Sequence, residues 1–173
     1  MIKTSQIVKP LSTYEIKQAA IECRNSSPDF IDENGAIDVV KILELKYTKY
    51  EIVPNETLRN AYAITKSSGE ILISEEVYDQ ACDGDYRARF TIAHELGHAY
   101  MHTTIDGFAQ GKDKACYTEI YYDSEWQANT FAAELLIPTS TLKDLLNKGV
   151  PVEVISKNFK VSKQCLEVKM HKM

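Results

Sequence analysis

Apolar residues first recur at helical spacing at Ile16, Ala19, Ala20 and Cys23. They follow Ser12-Thr13-Tyr14-Glu15, whose serine and glutamate can each accept the other's backbone N–H. The spacing predicts an amphipathic helix over 13–24, closed by Asn25-Ser26-Ser27-Pro28. A second helical pattern follows Gly35 through Ile37, Val40 and Leu43 to about Leu45. The pattern then becomes that of strands at 50–53, 61–65 and 70–74, and Ser67-Ser68-Gly69 between the last two predicts a hairpin. Helical period returns from Asp85 through Phe90, Ala93, Leu96, Gly97 and Met101. Residues 103–118 are polar and glycine-containing and read as a loop. A helix over 124–136 stops before Pro138. A short helix starts at Ser140 or Thr141, Gly149-Val150-Pro151 interrupts the chain, and 152–170 reads as two more short helices.

The order of elements predicts an α+β fold, in which a small, mostly antiparallel three-stranded sheet packs on the helix that follows it. Length adds that 173 residues suit about one domain, read as a main domain over 1–150 and a small helical segment over 151–173. Lys plus Arg number 20 against 25 Asp plus Glu, a net charge of −5, which argues against general nucleic-acid binding. No apolar run reaches membrane-spanning length, and the first residues lack the apolar core of a secretory signal. The cysteines Cys23, Cys82, Cys116 and Cys165 are scattered and read as reduced thiols. The expected location is the cytoplasm.

Chemistry concentrates in Arg89-Phe90-Thr91-Ile92-Ala93-His94-Glu95-Leu96-Gly97-His98, which contains H-E-x-x-H. On a helix, residues i and i+4 share a face, so His94 and His98 can reach one zinc ion. Glu95 can then act on a water at that ion as general base. Gly97 is costly in mid-helix by about 1 kcal/mol against alanine. Such a glycine indicates close approach by another backbone or a substrate, or simple helix–helix packing.

A zinc hydrolase needs a third protein ligand. The metzincin pattern would put glycine at 101 and histidine at 104; Met101 and Thr104 stand there, which excludes that class. His102 continues the i, i+4, i+8 row too far along the axis to join the same site; it reads as a residue behind the ligands or as a partly exposed histidine. Glu125 shares a helix face with Ala128, Asn129 and Ala132. Alone, it is explained as an acid in a helix's first turn. Beside His94 and His98 it is preferred as the third ligand, with Asn129 one turn on, able to orient a histidine. Glu134 falls off that face and is the weaker candidate. Tyr100, His102, Tyr121 and Tyr122 are open candidates for stabilising an oxyanion.

The H-E-x-x-H string, followed by Glu125-x-x-Ala128-Asn129-x-Phe131-Ala132-Ala133-Glu134-Leu135-Leu136-Ile137-Pro138, closely resembles the ImmA/IrrE family of metallo-endopeptidases, over roughly 35–140 in motif order. The resemblance implies a zincin-like fold, metal ligands His94, His98 and Glu125, and Glu95 as general base. Zinc is the implied ion, and manganese suits the same donor set. The implied substrate is a protein, a helix-turn-helix transcriptional repressor whose cleavage relieves repression of a mobile element or a stress response. The rival expectation is a regulatory DNA-binding or partner-binding protein with a structural or sensory metal site.

The C-terminal segment has a helix–turn–helix rhythm, with Ile155 and Phe159 in one helix, Val161 in the turn and Ser162 capping the next. Lys157, Lys160, Lys163, Lys169 and Lys172 make it basic. Its second helix has no arginine for bidentate base reading. Packing on the main domain is therefore the preferred reading, and DNA contact the lesser one.

Overall fold

A computed structural model describes residues 7–59, 61–102 and 119–173, without the side chain of Glu119. The loop expected at 103–118, and Cys116 within it, lie outside the described residues. Helix α1 spans Thr13–Asn25, and both halves of the Ser12–Glu15 capping box form: Glu15 N–H donates to Ser12 Oγ at 3.2 Å, and Ser12 N–H to Glu15 Oε2 at 2.8 Å. Its face of Ile16, Ala20 and Cys23 is buried. The next element is shorter and wider than its pattern predicts. After α2, Val39–Lys41, the chain runs as a π-helix over Ile42–Tyr47 and stops at Thr48, whose φ is 59°. Ile42 and Leu43 are both fully buried there, although adjacent residues on an α-helix point about 100° apart.

Strands β1 (Tyr50–Val53), β2 (Ala63–Thr65) and β3 (Ile71–Ser74) form one sheet in the order β1-β3-β2. The β2–β3 hairpin is antiparallel, with Ala63 opposite Ile73. Its turn uses Gly69 at φ 86°, a conformation that suits glycine. The other pair, β1–β3, is parallel, with Tyr50 opposite Ile71 and Val53 opposite Ser74. The sheet is therefore mixed, correcting the expectation of a mostly antiparallel one. The physical reason is burial: Ile71 and Ile73 are fully buried, so β3 takes the centre. The chain after β1 makes a 3-10 turn at Asn55–Leu58 before running back as β2, which leaves β1 pointing along β3.

Ser74 ends β3 and caps α3, Glu75–Cys82, a helix absent from the sequence expectation; its hydroxyl accepts from Val77 N–H at 3.4 Å. Helices α4 (Tyr86–Met101) and α5 (Ser124–Leu136) follow, then α6 (Thr139–Asn147), α7 (Val152–Phe159) and α8 (Lys163–His171). Ile92, Ala93 and Leu96 of α4 pack with Phe131, Ala132, Leu135 and Leu136 of α5. The same buried cluster takes in Ile16 of α1, Ile71 and Ile73 of β3, Ile155 and Phe159 of α7 and Leu166 of α8. Burying one such side chain is worth about 1.5–3 kcal/mol, so the last two helices share the main core.

Two buried arginines tie helix ends together. Arg24 donates to Leu135 O, at the end of α5, at 3.0 Å and to Gly35 O. Arg89 donates to Ile37 O at 2.6 Å and, at the end of α7, to Lys160 O at 2.6 Å and Phe159 O at 3.3 Å. Terminal carbonyls of a helix lack internal partners and carry partial negative charge, so a guanidinium suits them.

No helix among the described residues is long and apolar enough to cross a membrane. Cys23, Cys82 and Cys165 are free thiols.

Candidate metal centre

Two helix starts aim the site. Asp85 caps α4, accepting from Ala88 N–H at 2.8 Å. Asp123 caps α5, accepting from Glu125 N–H at 2.8 Å and Trp126 N–H at 3.0 Å. That cap fixes Glu125 in the first turn of α5, beside the middle of α4. The two helices approach closely because Gly97 has no side chain. A Cβ added there would lie 3.1 Å from Phe131 Cδ1 and 3.2 Å from Ala128 O. The glycine thus serves helix–helix packing with close backbone approach, and not contact with a substrate.

The crossing brings the three expected ligands together. His94 Nε2 and His98 Nε2 are 3.0 Å apart. Glu125 Oε2 lies 3.2 Å from the first and Glu125 Oε1 3.1 Å from the second. Three ligands about 2.0–2.1 Å from a tetrahedral ion would sit about 3.3 Å from one another, close to these spacings. The donor chemistry also fits. Two imidazole nitrogens and a carboxylate form a borderline-soft set that suits zinc, and among the described residues this is the one trio so gathered. Hydrogen bonding and charge from the two imidazoles hold the Glu125 carboxyl well below the ordinary range against its own burial, so it is an anion at neutral pH.

Each histidine is held from behind. Asn129 Oδ1 lies 2.9 Å from His94 Nδ1, as expected for a residue one turn beyond Glu125. His98 Nδ1 lies 2.9 Å from His102 Nδ1, and His102 Nε2 lies 2.8 Å from Gln127 Oε1. His102 thus sits behind His98 and is not merely an exposed histidine. Burial, partly offset by the Gln127 hydrogen bond, pulls its pKa down to about 4, so it is neutral at pH 7.

Glu95 does not belong to the trio. It is 1 % exposed. Thr65 at the end of β2 donates its hydroxyl to Glu95 Oε2 at 2.8 Å, with the Glu95 carbonyl at 3.1 Å. The sheet therefore holds one oxygen of this carboxylate from the side of β2.

The other candidates are placed elsewhere. Glu134 is a buried ion-pair partner of Lys169 on α8, at 2.6 Å, and also accepts from Thr139 N–H at 2.9 Å and Thr139 Oγ1 at 2.6 Å. Tyr100 turns toward Tyr47 and stacks on Phe131, with ring centroids 6.0 and 5.9 Å away. Burial and the neighbouring Cys23 thiol raise its pKa. Tyr121 packs edge-on against Trp126 at 5.3 Å. Of the C-terminal lysines, Lys160 faces Asp32 at 3.5 Å and Lys163 faces Glu153 at 2.8 Å, while Lys169 is buried.

Thr65 and Gln127 were not singled out from the sequence. Gln127 had one weak signal, a long polar side chain between Trp126 and Ala128. Thr65 had none, since a threonine on a strand is ordinary.

Comparison with known proteins agrees with the geometry. The model of the IrrE N-terminal-like domain, peptidase family M78, matches residues 74–171. The match spans α3 to α8; it omits the first helices and nearly all of the sheet, and it includes the C-terminal helices. No curated protein and no solved structure matches significantly.

Proposed function

Since the chain belongs to the IrrE N-terminal-like domain family of peptidases, we propose that it is a zinc-dependent endopeptidase acting on a protein, with a helix-turn-helix transcriptional repressor as substrate. The observation that carries this reading is the meeting of His94, His98 and Glu125 from two helices beside a buried Glu95. In it, His94, His98 and Glu125 are the metal ligands. A zinc ion bound there supplies Lewis acidity, which lowers the pKa of water toward neutrality and polarises a peptide carbonyl. Glu95 takes the proton from the attacking water and delivers it to the departing amine nitrogen. Thr65 supports that role by fixing the carboxylate through Oε2. Asn129 and His102 support the ligand role of the two histidines by bonding their remote nitrogens, as metal-bound histidines commonly require.

The zincin-like classification belongs to the same reading, as does the role in relieving repression of a mobile element or a stress response. A cytoplasmic location follows from such a substrate, and the free thiols are compatible with it.

The test is co-expression with a helix-turn-helix repressor encoded beside this chain. The expected result is a repressor cut at one bond by intact-mass analysis, with Glu95→Gln leaving zinc bound and the repressor whole. Undiminished relief of repression by Glu95→Gln would instead favour a partner-binding or DNA-binding regulator with a sensory metal.

A further inference from the structure

The residue behind His98 is itself held by a group whose orientation is not free. Gln127 is fully buried. Its amide nitrogen donates to Tyr121 O at 2.7 Å and Lys9 O at 2.9 Å. Two carbonyls use both of its N–H bonds, so the amide cannot turn over without facing oxygen with oxygen. Its own oxygen must then face His102 Nε2, 2.8 Å away. An amide oxygen only accepts, so His102 Nε2 carries the proton. In a neutral imidazole the other nitrogen is then a lone pair. His102 Nδ1 and His98 Nδ1 lie 2.9 Å apart, and a contact between two nitrogens at that distance needs one proton. Only His98 can supply it. His98 therefore carries a proton on Nδ1, and its Nε2 faces His94 and Glu125.

We propose that Gln127 and His102 are positioning residues that fix a proton on Nδ1 of His98 before any ion binds, leaving Nε2 as the nitrogen turned to the ion. The backbone at Lys9 and Tyr121 is the fixed end of the relay. His94 lacks an equivalent lock. Asn129 offers it one oxygen from an exposed position, and among the described residues no pair of carbonyls clamps that amide. The relay requires only that an ion bind at His94, His98 and Glu125; it does not require the bound protein to cut peptides.

The experiment uses the full chain, stripped of metal and labelled with nitrogen-15. A two-bond proton–nitrogen correlation spectrum at neutral pH reads the protonation of each His98 nitrogen directly. Wild type is expected to show a protonated Nδ1. In His102→Leu the His98 Nδ1 signal should move toward a partly deprotonated nitrogen, and zinc affinity, read by competition with a chromophoric chelator, should fall about 10–100-fold. His102→Gln restores an acceptor and should recover most of the affinity. Gln127→Met, which touches neither ligand, should give a smaller shift in the same direction and covers the case in which His102→Leu does not fold. A His98 without a proton on Nδ1 in wild type overturns the proposal. So does an unchanged Nδ1 signal or unchanged zinc affinity in a folded His102→Leu or Gln127→Met. A locked His98 in a protein that cuts no repressor would sink the peptidase reading and leave the relay standing.

Discussion

Replacing Lys169 with methionine isolates the tie between α8 and α5. The lysine side chain is 8 % exposed and the Glu134 carboxylate 3 %, with 2.6 Å between them. Removing the cation leaves a buried anion, an event that costs about 3–5 kcal/mol. Thr139 still donates twice to that carboxylate, which sets the expectation near about 3 kcal/mol, at the low end of that range. Burial also depresses Lys169, so the intact pair contributes less than its disruption removes. Glu134→Gln combined with Lys169→Met, which leaves no buried charge, is therefore expected to lose only about 1–2 kcal/mol. Urea unfolding of the metal-free protein at pH 7 measures both. The sign with pH is fixed by the same residues. Burial raises Glu134, but Lys169 and Thr139 outweigh it and lower its pKa. The contribution of Glu134 is thus present above the unfolded-state pKa of about 4.3 and lost as pH falls through the lower folded value. In Lys169→Met the lowering by the cation is gone and only that by Thr139 remains, so the carboxyl protonates at higher pH and the deficit against wild type narrows from pH 7 to pH 4. A deficit under about 1 kcal/mol, typical of exposed pairs, or one independent of pH, would refute the reasoning.

Other outcomes follow from the site. Glu95→Gln is expected to keep zinc, measured by elemental analysis, and to cut hydrolysis by about 10²–10⁴-fold. Thr65→Val removes the hydroxyl that holds Glu95 Oε2; kcat should fall about tenfold, or about 1.4 kcal/mol, with zinc affinity unchanged. Gly97→Ala puts a methyl 3.1 Å from Phe131 and 3.2 Å from Ala128 O. Overpacking of about 1–3 kcal/mol should cancel the helix gain of about 1 kcal/mol, and separating α4 from α5 should weaken zinc binding. A Gly97→Ala protein with higher stability and intact affinity would show that the helices have room to spare.

What could be read from the sequence was mostly local. The capping box, the hairpin turn, the two i, i+4 histidines and the helix over 124–136 each depend on neighbours a few residues away, and each formed where expected. Glu125 was harder, because it meets the histidines only through a helix crossing made possible by Gly97 and Ala128. The direction of β1 was illegible for a similar reason: no turn ties it to β3, and its place is set by which strand buries most. Helix α3 was missed because its only buried residues are Val77 and Ala81, too few to show a period. Thr65 and Gln127 lie 30 and 25 positions from their partners Glu95 and His102, a distance at which a sequence pattern carries no register.

The two C-terminal helices hang on fastenings of different kinds. The end of α7 is gripped by Arg89 through two main-chain oxygens, those of Phe159 and Lys160, and a guanidinium keeps its proton at any acidity a cell produces. The last helix depends on a carboxylate that acid discharges. Acidified, the molecule should come undone from its tail inward, α8 letting go while α7 stays gripped.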